Sequence, residues 1–146
     1  MKHVALPLAL LLSFTIGFSA DEQTESKKKK KPDFTEVDAS EFSQKLDAAS
    51  TEGEKWANAP ETIIVEYVGP FITESGEKMG QRRSIGIRTK GEGVPKRLRV
   101  TLTDDGLFDD ETKKITTRLY LKRGKKDGAW KLLKVERAME KWAPPA

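Results

Sequence analysis

The sequence predicts an α+β domain in which an N-terminal helix packs on a curled antiparallel sheet of four to five strands. Three observations point there. Phe42, Leu46 and Ala49 recur at i, i+4 and i+7, which is one stripe of a helix. From Thr62 onward the period drops towards two, in segments rich in β-branched and aromatic residues. The connections between those segments are short and carry Gly, Pro and Asp, so sequential strands can pair as a meander over the helix.

The helix is expected to begin at Asp38, whose spacing to Glu41 is that of a capping box, or at Ser40 as the cap. Gly53 weakens it, Trp56 can continue its stripe, and Asn58 and Pro60 stop it. Its outer face is acidic, with Glu41, Asp47, Glu52 and Glu54 against Lys45 and Lys55. The first strand is expected over Thr62–Val68, bounded by Gly69-Pro70, and the second over Arg83–Thr89 after a polar loop from Thr73 to Gly80. In Arg97–Thr103, Leu98, Val100 and Leu102 oppose Arg97, Arg99 and Thr101. Asp104–Asp110 is read as the next connection. In Ile115–Lys122, Ile115, Thr117, Leu119 and Leu121 oppose Thr116, Arg118, Tyr120 and Lys122. A hairpin loop ending in Asp127-Gly128 leads to a last strand from Trp130 to about Trp142, with a bulge expected near Lys134, where the alternation falters. One face of such a sheet lies on the core and the other in water.

The amino-terminal segment has the layout of a secretory signal peptide. Met1-Lys2-His3 is a basic start, Val4–Phe18 is an apolar run, and Gly17 and Ser19 are small residues at −3 and −1 of a cut after Ser19. The apolar run has 15 residues with Pro7 inside, whereas crossing a bilayer takes about 20. The competing reading is an uncleaved membrane anchor, because the lysine run Lys27, Lys28, Lys29, Lys30 and Lys31 follows closely and resists translocation. The chain is thus divided into a signal peptide (1–19), a charged tether (20–36), a single α+β domain (37–143) and a tail (144–146). The expected location is periplasmic or secreted.

Charge and composition then limit the chemistry. The chain carries 27 Lys and Arg against 23 Asp and Glu, a net +4, but residues 33–146 hold 21 basic and 20 acidic side chains. The high pI therefore belongs largely to the lysine tail, which can bind an anionic polymer or serve as a solvated spacer. There is no cysteine, which excludes disulfides and a lipoprotein anchor, and His3, the one histidine, falls in the signal segment. A mature chain would lack the thiol and imidazole that most often serve as nucleophile, base or metal ligand near neutral pH. No nucleotide, cofactor or nucleic-acid motif is present. Glu66 and Tyr67 are the remaining acid–base candidates, with Glu66 read as facing water.

Three groupings are candidate sites. Arg88, Arg97, Arg99, Arg118 and Lys122 fall together as an anion-binding face if the strands containing them pair. Trp56, Tyr67 and Trp142 are the pocket candidates, while Trp130 is expected in the core. Asp104, Asp105, Asp109, Asp110 and Glu111 crowd carboxylates as a Ca²⁺ loop would, without the EF-hand spacing, or else build a turn.

Thr103–Asp110, the following strand, Asp127-Gly-Ala-Trp-Lys-Leu132 and Trp142 together resemble a pattern in small exported bacterial proteins of uncharacterised function. The order of elements is similar to that of cystatin-like and NTF2-like folds; the Q-x-V-x-G loop of cystatin inhibitors is missing, with Val68-Gly69 only a fragment of it. The expected function is a non-enzymatic binding or interaction domain of the cell envelope, taking an envelope protein or a small ligand. The alternative is an anion- or polyanion-binding module built from the arginine-rich sheet face and the lysine tail.

Overall fold

Helix α1 (Ser40–Glu52) opens the helical layer of a computed structural model that describes residues 30–145. The signal segment and Lys27–Lys29 lie outside the described residues. A short strand β1 (Thr35–Val37) precedes α1, and α2 (Pro60–Val68) follows after a single 3-10 turn at Lys55–Asn58. Four long strands complete the chain: β2 (Gly80–Thr89), β3 (Arg97–Leu107), β4 (Thr112–Arg123) and β5 (Trp130–Lys141). They form one open antiparallel sheet in the order β1-β5-β4-β3-β2. The α+β class and the antiparallel sheet are as the sequence predicts.

The helical layer departs from the expectation in two ways. Gly53, not Pro60, ends α1. It adopts φ 74°, the left-handed conformation that glycine enters without a Cβ penalty, and the Glu54 N–H closes on the Ala49 carbonyl at 2.9 Å. Pro60 then starts a second helix, because a proline in the first turn forfeits only an N–H that has no helical partner there. The segment Thr62–Val68 is therefore helical, not a strand. Pro60, Ile63, Ile64, Tyr67 and Val68 recur at i, i+3, i+4, i+7 and i+8 and face inward, while Glu61, Thr62, Val65 and Glu66 are exposed. Burying that stripe outweighs the strand preference of the β-branched residues, which is worth only about 1 kcal/mol across the whole scale. The Thr62 hydroxyl adds a bond to the Ala59 carbonyl at 2.9 Å.

At the start of α1 the expected capping box is replaced by a shorter bridge. The Asp38 carboxylate accepts from the Ser40 N–H at 3.0 Å and from the Ser40 hydroxyl, which holds its carboxyl below the ordinary carboxylate value. Glu41 makes no return bond among the described residues.

Both helices cover one face of the sheet, α1 over β5 and α2 chiefly over β3. Leu46, Ile63 and Ile64 meet Leu98, Val100, Leu102, Leu119, Leu121, Val135 and Trp130 in one core. Full burial of each such side chain contributes about 1.5–3 kcal/mol. The alternation within β3 and β4 runs as the sequence predicts: Leu98, Val100 and Leu102 are buried, as are Thr117, Leu119 and Leu121. The expected bulge is present, since Tyr120 pairs with Lys134 and Leu121 with Leu132, leaving Leu133 as the extra residue.

Ordered pairing begins before residue 37. Thr35 pairs with Arg137 and Glu36 with Glu136, and the Phe34 ring lies 3.5 Å from the Arg118 guanidinium. The last residues of the segment read as tether thus form the edge of the sheet.

A candidate anion-binding face on the open side of the sheet

The sheet face opposite the helices carries Arg82, Arg88, Arg97, Arg99, Arg118 and Lys122. Its rows follow from register. Arg88 on β2 pairs with Arg99 on β3, which pairs with Tyr120 on β4; beside it, Arg97 pairs with Lys122. Three rows on from Arg88–Arg99 in the other direction, Arg82 pairs with Asp105 and Asp105 with Lys114. Four of the five cations predicted to form one group, Arg88, Arg97, Arg99 and Lys122, therefore meet at one end of this face. Arg88, Arg97 and Lys122 are exposed. Among the described residues none of the four has a carboxylate within ion-pair distance. The Arg99 Nε is buried against the sheet with no hydrogen-bond partner among the described residues.

The fifth, Arg118, is drawn into a different cluster. Glu136 accepts from Tyr120 Oη at 2.7 Å and from Lys134 Nζ at 2.6 Å, with Arg118 Nη1 at 4.0 Å. These cations also offset Glu36, which lies directly opposite Glu136 across the β1–β5 pair. The hydrogen bonds from Lys134 and then Tyr120 hold the Glu136 carboxyl below its ordinary value of 4.5, and the same contact raises Lys134 above 10.5. A lowered carboxyl value favours the fold above the unfolded carboxylate range, and the benefit is lost as pH falls through the folded value. Conversely, the Lys134 contribution is complete below its unfolded value and is lost as pH rises through the folded one. Glu136→Gln is accordingly expected to be less stable than the parent at neutral pH, with the gap closing as acid protonates Glu136. Urea unfolding across the acid range checks this, and a gap independent of pH would contradict it.

The pocket candidates are not brought together. Trp56 and Tyr67 flank the Phe42 ring, at centroid distances of 6.0 and 4.9 Å from it, on the helical side. Trp142 instead binds the β3–β4 loop, its indole Nε1 donating to the Asp109 carbonyl at 2.9 Å and its backbone N–H to Glu111 at 3.1 Å. Trp130 is in the core, as expected. A cleft of about 650 Å³ lies between α1 and the β4–β5 hairpin, lined by Trp130 and by none of Trp56, Tyr67 and Trp142. Its charges are committed within the fold: Lys131 to Asp47 at 3.4 Å, Arg123 Nε to the Gly128 carbonyl at 3.1 Å, and Asp127 to the Ala129 N–H at 3.1 Å.

The crowded carboxylates are also separated by the fold. Strand β3 continues through Leu107, so Asp104 and Asp105 are strand residues on opposite faces and not part of the connection. Asp104 is buried on the helix side, where Arg83 binds it through Nε at 2.6 Å and a second nitrogen at 2.8 Å. Gly106 follows at φ 64°, a left-handed conformation that would cost an L-residue roughly 1–2 kcal/mol. Asp109 accepts from the Glu111 N–H at 2.8 Å and so shapes the loop. No group of three or more His, Cys, Asp or Glu side chains gathers as a metal site among the described residues.

Glu66 lies on the exposed side of α2, where it pairs with Lys45 at 2.7 Å. No helix of the described residues is long and apolar enough to cross a membrane. No family model, curated protein or solved structure matches the chain significantly. The site is therefore defined by its own geometry.

Proposed function

We propose that this chain is a non-enzymatic binding domain that holds a polyanion at the cationic end of its open sheet face. One observation carries the reading: two like-charge cross-strand pairs, Arg88–Arg99 and Arg97–Lys122, stand side by side without a carboxylate among the described residues. Like charges directly opposite one another destabilise a sheet. A bound anion turns that repulsion into charge-assisted hydrogen bonds, and three of the four groups are guanidinia suited to bidentate contact with phosphate or sulfate. Tyr120 beside Arg99 adds a ring, while its hydroxyl is engaged with Glu136.

Phe34 lies on the same face, against Arg118, and the lysine run ends three residues earlier. The amino-terminal pattern supports an exported domain, for which anionic polymers of the cell envelope are the matching partners. Helices preceding a meander also support a cystatin-like or NTF2-like order of elements, with the open sheet face used for binding.

Titration of the full chain with linear polyphosphate at several salt concentrations tests the reading. By analogy with nucleic acids, each phosphate contact contributes about −0.7 to −0.9 to the slope of log affinity against log salt, so four cations give roughly −3. The pair Arg97→Glu and Lys122→Glu is expected to weaken binding more than about tenfold and flatten that slope. A salt-independent affinity, or binding lost only when Lys27–Lys31 are replaced by serine, would defeat the face as the site.

A further inference from the structure

The two edges of the sheet are unlike. At one edge β1 pairs over only three residues. At the other, β2 runs for ten residues in one unbroken register with β3, and it contains neither a proline nor a bulge. Its outward backbone N–H and C=O groups form the row that sheet proteins usually shield with a short strand, a bulge or a proline. On the helix-facing side, between Arg83 and Thr89, stand Ile85 and Ile87, opposite the buried Leu102 and Val100. They remain 40% and 45% exposed because α2 covers β3 and reaches β2 only marginally. The core thus continues as an apolar seam that runs off the edge of the sheet. On the other side of the same strand stand Arg82 and Arg88, both exposed, with Lys90 just beyond.

We infer that the free edge of β2 receives an extended peptide of alternating apolar and acidic residues, added as a sixth strand. Backbone bonds to the edge supply affinity, and alternate side chains supply selectivity. In such a strand the apolar residues lie beside Ile85 and Ile87, and the acidic ones beside Arg82 and Arg88. Charge decides against a second copy of this chain. An antiparallel β2 pair centred on Gly86 would oppose Arg82 with Lys90, and one centred on Ile85 would oppose Arg82 with Arg88. An acidic partner is attracted by the residues that repel a copy. The inference goes beyond the polyanion reading: the two share Arg88, but peptide addition rests on the edge backbone and on Ile85 and Ile87, which the polyanion does not use.

The test is amide hydrogen exchange of the full chain with a short, end-blocked peptide of alternating valine and glutamate. The peptide is expected to slow exchange of the β2 amides by about tenfold or more at saturation, as a newly paired strand should. A peptide of the same sequence, N-methylated at alternate residues, keeps its charge but cannot pair and is expected to lose this effect. Ile87→Ser should weaken binding at an exposed position where folding is little disturbed. Arg97→Glu with Lys122→Glu should leave peptide binding largely in place, and polyphosphate should leave β2 exchange unchanged, so the two readings fail separately. Unprotected β2 amides at saturating peptide would overturn the inference, as would equal binding of the N-methylated peptide. Protection of β2 by dimer formation without peptide would overturn it in favour of a second copy.

Discussion

Asp104→Ala is expected to lower stability by about 3–5 kcal/mol, because it leaves the Arg83 guanidinium charged and largely buried with its carboxylate gone. The side chains of Arg83 and Asp104 are only 14% and 10% exposed, and their contact is bidentate. Arg83 also donates to the Gly69 carbonyl at 2.6 Å, with the Phe71 ring 5.1 Å from the guanidinium carbon. One arginine therefore joins β2 and β3 to the chain that leaves α2. For a domain of this size the loss corresponds to a fall on the order of 10–20 °C in Tm, readable by thermal or urea unfolding. The double variant Arg83→Met with Asp104→Leu should be milder than Asp104→Ala, since replacing both partners removes the uncompensated charge. A loss under about 1 kcal/mol for Asp104→Ala would show that the pair is solvated in solution.

The second large effect concerns α2. Ile63→Ala and Ile64→Ala should each cost about 2–5 kcal/mol, whereas Val65→Ala should stay within roughly 1 kcal/mol. Ile63 and Ile64 are adjacent and both fully buried, while Val65 is exposed. Two consecutive inward residues followed by two outward ones are possible on a helix and not on a strand, where neighbours point to opposite faces. Equal costs for Ile63→Ala and Val65→Ala, with a small one for Ile64→Ala, would return the segment to the strand pattern. Urea unfolding of the three single variants decides.

That contrast shows how far this sequence can be read. Around α2 two signals competed within one segment. The composition Thr-Ile-Ile-Val-Glu-Tyr-Val favours a strand, while the i, i+3, i+4, i+7 spacing that starts at Pro60 favours a helix, and the spacing is the one the core rewards. Proline is ambiguous in the same way, ending one helix or beginning the next. Asp104 was harder still. Its partner Arg83 lies 21 residues away in the chain and meets it only through the β2–β3 register, so a strand carboxylate reads locally as a turn residue. The four cations of the candidate site were legible because alternation within a strand assigns them to the solvent side whatever the register. Glu136 was not, because it meets Arg118 only once β4 and β5 are paired and β5 is bulged at Leu133.

The sequence by itself determined the α+β class, the first helix, the alternation of β3 and β4, the core position of Trp130 and the absence of cysteine. These properties rest on local periodicity and on composition, which need no knowledge of neighbours. Tertiary structure alone decided that Thr62–Val68 is a helix, that Asp104 is a buried strand residue, that Trp142 fastens a loop, and that Arg118 leaves the cationic group for Glu136. Each of these depends on a partner distant in the chain. Burial and charge pairing between distant segments outweigh local preferences worth about 1 kcal/mol or less, and only the folded register brings those partners together.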